Sequence, residues 1–420
     1  TDKFAVCWGD YADGTDEGEC KVGSVSGSTI SFGSASTFAA DLTDPFLYWS
    51  ACDATTDKIA VVYANDPNTD EGEVRAATVS GTTIGTWGTA QDISGTQDLE
   101  QFDCAGISTN KIAVSYNNEG NSDTGESVAI SFSGTTATVG AINDWATTDY
   151  NPEYVSVTKL GTDKFLTCSN PQDDDTGVCF ASTVSGTTIT HGTAALFANN
   201  DLDTSTDVAY MANDQFALTY QDGPADLTYV RAGTVSSTTV SFGAAQAIDN
   251  DNLADPRIAQ HDGTHALHVR SDNASTTGVV PFGASNYFSV NFGTSAVTLG
   301  SDETFRSPNI NVNGENGLDI VRVNTDTFIV CYVDSSDSDD GKCVVGSKQS
   351  AGANSAPTEP TSLQVEDQTN PTNISDSTPE FDAIFNDSNA TNTATHYRLQ
   401  VSTSSAFTST HWDTTQTSLA

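Results

Sequence analysis

Short runs in which apolar and polar residues alternate recur along the whole chain, each closed by Gly, Asn or Asp. No long segment keeps a 3.6-residue apolar period, so the chain reads as strands and hairpins rather than helices. One run, DKFAVCW at Asp2–Trp8, returns as DKIAVVY (Asp57–Tyr63), NKIAVSY (Asn110–Tyr116) and DKFLTCS (Asp163–Ser169). Weaker copies are DQFALTY (Asp214–Tyr220), THALHVR (Thr264–Arg270) and DTFIVCY (Asp326–Tyr332). A second marker follows the better copies: VSGSTISFG from Val25, VSGTTIGTWG from Val79, FSGTTATVG from Phe132, VSGTTITHG from Val184 and VSSTTVSFG from Val235. An X-Pro step precedes several, as at Asp44-Pro45, Asn151-Pro152, Asp255-Pro256 and Ser307-Pro308.

The period is about 50–55 residues, and each unit reads as four strands. The first follows the X-Pro turn (Phe46–Cys52, Glu153–Lys159), the second is the DKxAVxY run, the third ends at the VSG turn and the fourth is TTISFG. Proline is tolerated at a strand's first residue, where its missing N–H need not join the ladder. Four short antiparallel strands repeated seven times predict an all-β, seven-bladed β-propeller over residues 1–348. A β-solenoid or a string of separate sandwiches are the alternatives. The first unit lacks strand one and the seventh lacks strand four, so closing strands are expected upstream of Thr1 and the seam is expected to be open or distorted. An insertion near Asn313–Gly317 marks the seventh unit. Composition then shifts: residues 349–361 read as a Pro/Ser/Ala linker, and 362–420 as the first part of a β-sandwich module.

The cysteines fall on the repeat. Cys7 and Cys20, Cys168 and Cys179, and Cys331 and Cys343 hold one pair of columns on strands two and three, which other units fill with Val62 and Val74, Ser115 and Ser127, or Val269 and Val280. Such columns are cross-strand neighbours, so three hairpin disulfides are expected. Cys52 and Cys104 lie on strand one of adjacent units, where a blade-to-blade disulfide or two buried thiols are the choices. Disulfides persist in oxidising compartments, which points to an extracellular or cell-surface protein.

Net charge is −41, from 56 acidic against 15 basic residues. Like charges repel, so nucleic acid is excluded as a partner, and no stretch reaches the roughly 20 apolar residues that membrane insertion needs. The acids concentrate in the loops between strands two and three and between consecutive units, which an up-and-down blade puts on one side; Lys3, Lys58, Lys111 and Lys164 fall on the other. Oxygen ligands at near-alternating positions closed by Gly suit Ca²⁺, and the candidate sets are Asp10, Asp13 and Asp16; Asp66, Asn68 and Asp70; Asp173, Asp174 and Asp175; and Asp334, Asp337 and Asp339. Ordinary hairpin-turn chemistry explains the same residues. Beside this rim, Trp8, Tyr63, Tyr116, Tyr220 and Tyr332 form an aromatic column that either stacks on sugar rings or packs between blades.

No catalytic motif occurs. His261, His265 and His268 cluster in sequence, but residues 265 and 268 on one strand point to opposite faces, so ordinary surface or core histidines are expected over a metal site. Arg257, Arg270, Arg306 and Arg322 would have to converge for a sialidase-like site.

The DKxAVxY, acidic-loop and VSGTTISFG markers resemble repeats of bacterial and phage surface or tail proteins predicted to form propellers. TPEFDAIFND (Thr378–Asp387) and HYRLQVSTSSAF (His396–Phe407) resemble fibronectin type III or immunoglobulin-like modules of large bacterial surface proteins. The resemblance implies display or attachment and names no catalytic residue. The expected function is an extracellular adhesion module that recognises glycan or surface protein on its acidic face, with Ca²⁺ as the candidate cofactor. A carbohydrate-active hydrolase or lyase and a passive spacer are the alternatives.

Overall fold

The computed structural model describes residues 2–10, 17–40, 49–55, 57–65, 71–95, 99–146, 151–171, 176–199, 206–222, 227–248, 253–272, 282–306, 310–311, 318–334 and 340–347. It also describes 358–369, 372, 375, 378–386, 396–397, 400–401, 412–413 and 417–418. The chain divides into two compact units between Ser347 and Lys348.

Among the described residues, the first unit holds seven successive antiparallel sheets. The third shows the plan: an inner strand Leu99–Ser108, then Lys111–Asn118, then Thr124–Ser133, then an outer strand in two pieces, Thr136–Val139 and Asn143–Asp144. The second, fourth and fifth sheets repeat it, and the sixth keeps an unbroken outer strand, Ala296–Arg306. Inner strands of consecutive sheets pack side by side from the second sheet to the seventh. Apolar clusters fill the space between sheets, as where Val62 and Val74 meet Phe102, Val114 and Val128. The first unit is an all-β propeller, and neither face of a blade would be covered without its neighbours.

The ends of the array differ from the plan. The first sheet begins with Lys3–Asp10 and has no inner strand among the described residues. The seventh has Ile310–Asn311 and Leu318–Arg322 on one side of Thr327–Asp334, Asp340–Ser347 on the other, and no outer strand beyond Asp340–Ser347 among the described residues. The expected open seam is nevertheless packed. Phe4 and Val25 of the first sheet bury against Ile329 of the seventh, with Val345 alongside, and Asn324 donates to Asp2 at 2.7 Å.

Two glycines per unit explain the second marker. The VSG turn is a two-residue hairpin (Ser133 pairs with Thr136) whose first position has positive φ at Gly27, Gly81, Gly134 and Gly186, the type II′ requirement. Ser237 takes that conformation in the fifth sheet. The closing glycine does something else: it breaks the outer strand and lies against the next blade. A Cβ on Gly33, Gly88, Gly140, Gly192 or Gly243 would stand 1.9, 2.2, 2.4, 2.2 or 1.9 Å from the carbonyl oxygen of Thr82, Thr135, Thr187, Thr238 or Ser295. Strand four is therefore two short strands, Thr29–Phe32 within the run and Ser36–Ala39 in its continuation beyond the glycine.

The inner strand bulges near its far end, where a register shift leaves Ala54, Ile107, Leu160, Met211 and His261 unpaired in successive sheets. On that end the lysines form blade-to-blade contacts. Lys58 donates to Asn110, Lys111 to Asp163 at 2.8 Å and Lys164 to Asp214, each acceptor belonging to the next sheet's turn. Asn110, Asp163 and Asp214 hold φ of 58°, 55° and 61°, a region Asn and Asp enter more readily than most residues.

All four disulfides are formed. Cys7–Cys20, Cys168–Cys179 and Cys331–Cys343 join directly paired residues, and Cys52–Cys104 joins the inner strands of sheets two and three with Cα atoms 5.9 Å apart.

In the second unit Thr358–Val365 pairs antiparallel with Phe381–Asn386, His396–Tyr397 with Thr417–Ser418, and Gln400–Val401 with Trp412–Asp413. The first of these strands starts inside the stretch read as linker. Two register shifts along it accommodate Pro360, which has no N–H to give to a ladder.

Candidate functional site

Register decides which loops share an end of the sheets. Inner strands begin opposite the end of strand two (Leu99 with Asn118, Pro152 with Pro171, Leu253 with Asp272). Strand three starts at that same end (Asn118 with Thr124, Asp222 with Leu227). The strand ends that flank the acidic hairpins thus lie on one rim, opposite the lysine ladder. Of the calcium candidates, Asp10 pairs with Glu17 and is half-buried, and Asp334 pairs with Asp340. Asp13, Asp16, Asp66, Asn68, Asp70, Asp173, Asp174, Asp175, Asp337 and Asp339 lie outside the described residues.

The third sheet's rim loop is described, and side chains of the chain itself satisfy its carboxylate. Glu126 is buried and accepts from Asn118 and Asn121, both at 2.9 Å, while Asn118 caps the short 3₁₀ turn Glu119–Asn121. Two neutral amide donors hold the charge there, which is turn chemistry.

Four members of the aromatic column are buried: Tyr63, Tyr116, Tyr220 and Tyr332. Tyr63 packs on Phe38 and donates to Glu73 at 2.5 Å; Tyr116 packs on Phe102, and Tyr220 on Phe197. Burial leads the causes that raise the Tyr116 and Tyr220 phenols, Tyr220 to about 12. These rings are interblade packing, with no open face for a sugar. Trp8 is half-buried, with the Lys21 ammonium 4.8 Å from its ring centroid.

The inner strands contain a second polar feature, one not singled out from the sequence. Ser50, Asp103, Ser156, Asp207, Arg257 and Asp319 occupy one position in sheets two to seven, each paired across to the column that includes Ser115, Cys168 and Cys331. Asp103 accepts from Ser50 Oγ (2.8 Å), the Cys104 N–H (2.7 Å) and the Val157 N–H of the following sheet (2.5 Å). Asp207 repeats this with Ser156 (3.1 Å), Val208 and Ile258 (both 2.8 Å). Arg257 acts electrostatically on both Asp207 and Asp319. Burial pushes Asp103 up to about 7 against its three donors, and raises Asp207 against Arg257. Hydrogen bonding to the next inner strand makes these carboxylates links in the ring. Only internal comparison of the inner strands could have found this set, because its members differ in type.

Arg270 is fully buried at the sixth sheet's counterpart of the tyrosine column, and Arg322 points its Nε to the Asn324 carbonyl (2.9 Å). The side chain of Arg306 lies outside the described residues.

The histidines depart from expectation. His268 is buried and its pKa is lowered by burial and by Arg270, but His261 and His265 come together around Asp262. His265 Nδ1 lies 3.0 Å from Asp262, and His261 Nδ1 lies 3.3 Å from it. Strand alternation missed the pair because the bulge at His261 turns that side chain onto the face of its neighbour.

No family model matches the chain, and no curated protein matches it. Among solved structures it is similar to a protein from Lactobacillus plantarum, at 12% identity over 81% of this chain and 94% of that one, with a TM-score of 0.49. The NanB sialidase of Streptococcus pneumoniae is similar at 8% identity over 81% of this chain and 64% of that one (TM-score 0.44). The WD40 domain of SCAP from fission yeast is similar at 9% identity over 78% of this chain and 82% of that one (TM-score 0.40).

Proposed function

We propose that the chain is an extracellular binding module, a seven-bladed propeller that recognises glycan or surface protein on its acidic rim. The observation that supports this most is the register just described, which puts the strand ends flanking the acid-rich hairpins on one end of the propeller, whose blades carry three disulfides with a fourth joining sheets two and three. Invariant packing below and variable loops above is how a scaffold carries recognition. The disulfides fit an oxidising compartment, and no helix among the described residues is long and apolar enough to cross a membrane. The acidic rim favours neutral or cationic surfaces over polyanions. Calcium in the hairpins would assist by lowering that charge and ordering the loops.

The test is a glycan and surface-protein array probed with the labelled chain, with and without Ca²⁺. Saturable binding that weakens when Asp10, Asp13 and Asp16, or Asp173, Asp174 and Asp175, become Asn is the expected result. Binding unaffected by every rim substitution would place recognition elsewhere. An unchanged melting temperature on chelation would remove calcium from the account.

A further inference from the structure

The seam between sheets six and seven differs from those joined by the lysine ladder. The bulge column reads Ala54, Ile107, Leu160 and Met211, all buried and apolar, until His261 takes it at 4% exposure. The column that supplies Lys58, Lys111 and Lys164 to the ladder supplies His265 here, and the next sheet's turn presents Asp326. Burying an imidazole in an apolar column is costly unless it gains a partner. Three changes at one seam put two imidazoles and two carboxylates where the three seams from sheet two to sheet five have a lysine and one Asx.

The distances match a bound ion. Zinc–nitrogen and zinc–oxygen bonds of about 2.0–2.1 Å in a tetrahedron put neighbouring ligand atoms about 3.3 Å apart. His261 Nδ1 and His265 Nδ1 lie 3.3 and 3.0 Å from Asp262 Oδ2, and the three ligand atoms are all within 4.8 Å of one another. Asp262 is fixed by the Thr264 N–H (2.7 Å) and hydroxyl (2.9 Å), and the His261 ring is held against Phe328, with centroids 5.9 Å apart. His261 Nε2 faces Asp326 Oδ1 at 3.6 Å, ion-pair range, and a small shift would bring it to the hydrogen bond with which a carboxylate orients a metal-bound imidazole.

We propose that His261, Asp262 and His265 bind one borderline divalent transition-metal ion of the Zn²⁺ type, with Asp326 of the seventh sheet orienting His261. The donor set of two nitrogens and an oxygen suits zinc, nickel or copper over calcium, which prefers six or more oxygens. The ion would tie sheet six to sheet seven, beyond the last contact of the lysine ladder, Lys164 with Asp214.

The full chain, stripped with chelator, is titrated with Zn²⁺ in excess Ca²⁺, which occupies the acidic surface. One equivalent of zinc and a raised melting temperature are expected. H265Q should abolish that equivalent, D326N should weaken it about tenfold, and D382N, on the second unit, should leave it intact. Cobalt on the unaltered chain should give the visible absorption of a tetrahedral nitrogen–oxygen site, which keeps the test open if H265Q fails to fold. No saturable zinc equivalent, or an equivalent that H265Q, shown folded by circular dichroism, retains in full, would overturn the proposal.

Discussion

Substituting Gly140 by Ala tests how the blades are joined. The new Cβ would lie 2.4 Å from the Thr187 carbonyl oxygen, 2.7 Å from Thr187 Cβ and 2.8 Å from the Ala129 carbonyl oxygen. Ordinary contact begins at 3.4 Å, so the facing turn must retreat by about 1 Å. That turn is backbone and cannot swing away as a side chain would. Overpacking of this kind costs about 1–3 kcal/mol, and a main-chain obstacle puts Gly140 at the upper end. Unfolding entropy of about 2.1 cal/mol/K per residue over the first unit gives about 0.7 kcal/mol/K, so about 3 kcal/mol lowers the melting temperature by about 4 °C. Gly341 is the control: a Cβ there meets nothing within 4 Å, so G341A should be neutral or raise stability by about 0.5–1 kcal/mol. Calorimetry with disulfides intact reads both. Equal melting temperatures for G140A and G341A would refute the close-approach account of the seams.

Other consequences follow from particular contacts. Replacing Cys52 and Cys104 by Ser frees a separation of 52 residues, worth about 4 kcal/mol of chain entropy, against about 3 for Cys168–Cys179 at 11; chemical denaturation that ranks them the other way would contradict the entropic reading. Two carboxylates should give opposite pH slopes in thermal melts. Asp103 binds its proton more tightly folded than unfolded, so its contribution falls as pH rises from about 4 to about 7, and D103N should flatten that decline. Burial would raise Asp163, but the Lys111 and Ser108 hydrogen bonds outweigh it and hold the carboxyl below its ordinary value. Its contribution is therefore present above about pH 4 and lost as pH falls through the depressed value, a loss D163N should abolish. Removing the Tyr63 hydroxyl with Y63F should cost about 1.5–3 kcal/mol by urea titration, because the acceptor Glu73 is a carboxylate; no change would mean water replaces the phenol.

The repeat made the blade plan readable because each strand carries its own signature: alternation for buried faces, Gly at the turn, paired columns for cross-strand neighbours. The hairpin cysteines were legible for that reason, as Cys168 and Cys179 share columns with Ser115 and Ser127. Position on the rim was legible too, since it depends only on strand direction. The Asp103, Asp207, Arg257 and Asp319 set was hidden because its members occupy one place in space while differing in charge and size. His261 was hidden because a bulge overturns the alternation that sequence reading relies on. The buried tyrosines were ambiguous for a different reason: a ring beside a rim has one polar end, and only packing by Phe38, Phe102 or Phe197 decides whether its faces stay wet.

At five of the joints the nearest atom a Cβ on the glycine would meet is a peptide oxygen, with the Cβ of the same Thr or Ser just behind it. A coupling written in main-chain atoms tolerates almost any residue around it. Neighbouring units can therefore drift, duplicate or trade places while keeping the same angular step, and the exposed hairpins are released to diversify under whatever selection the surroundings impose.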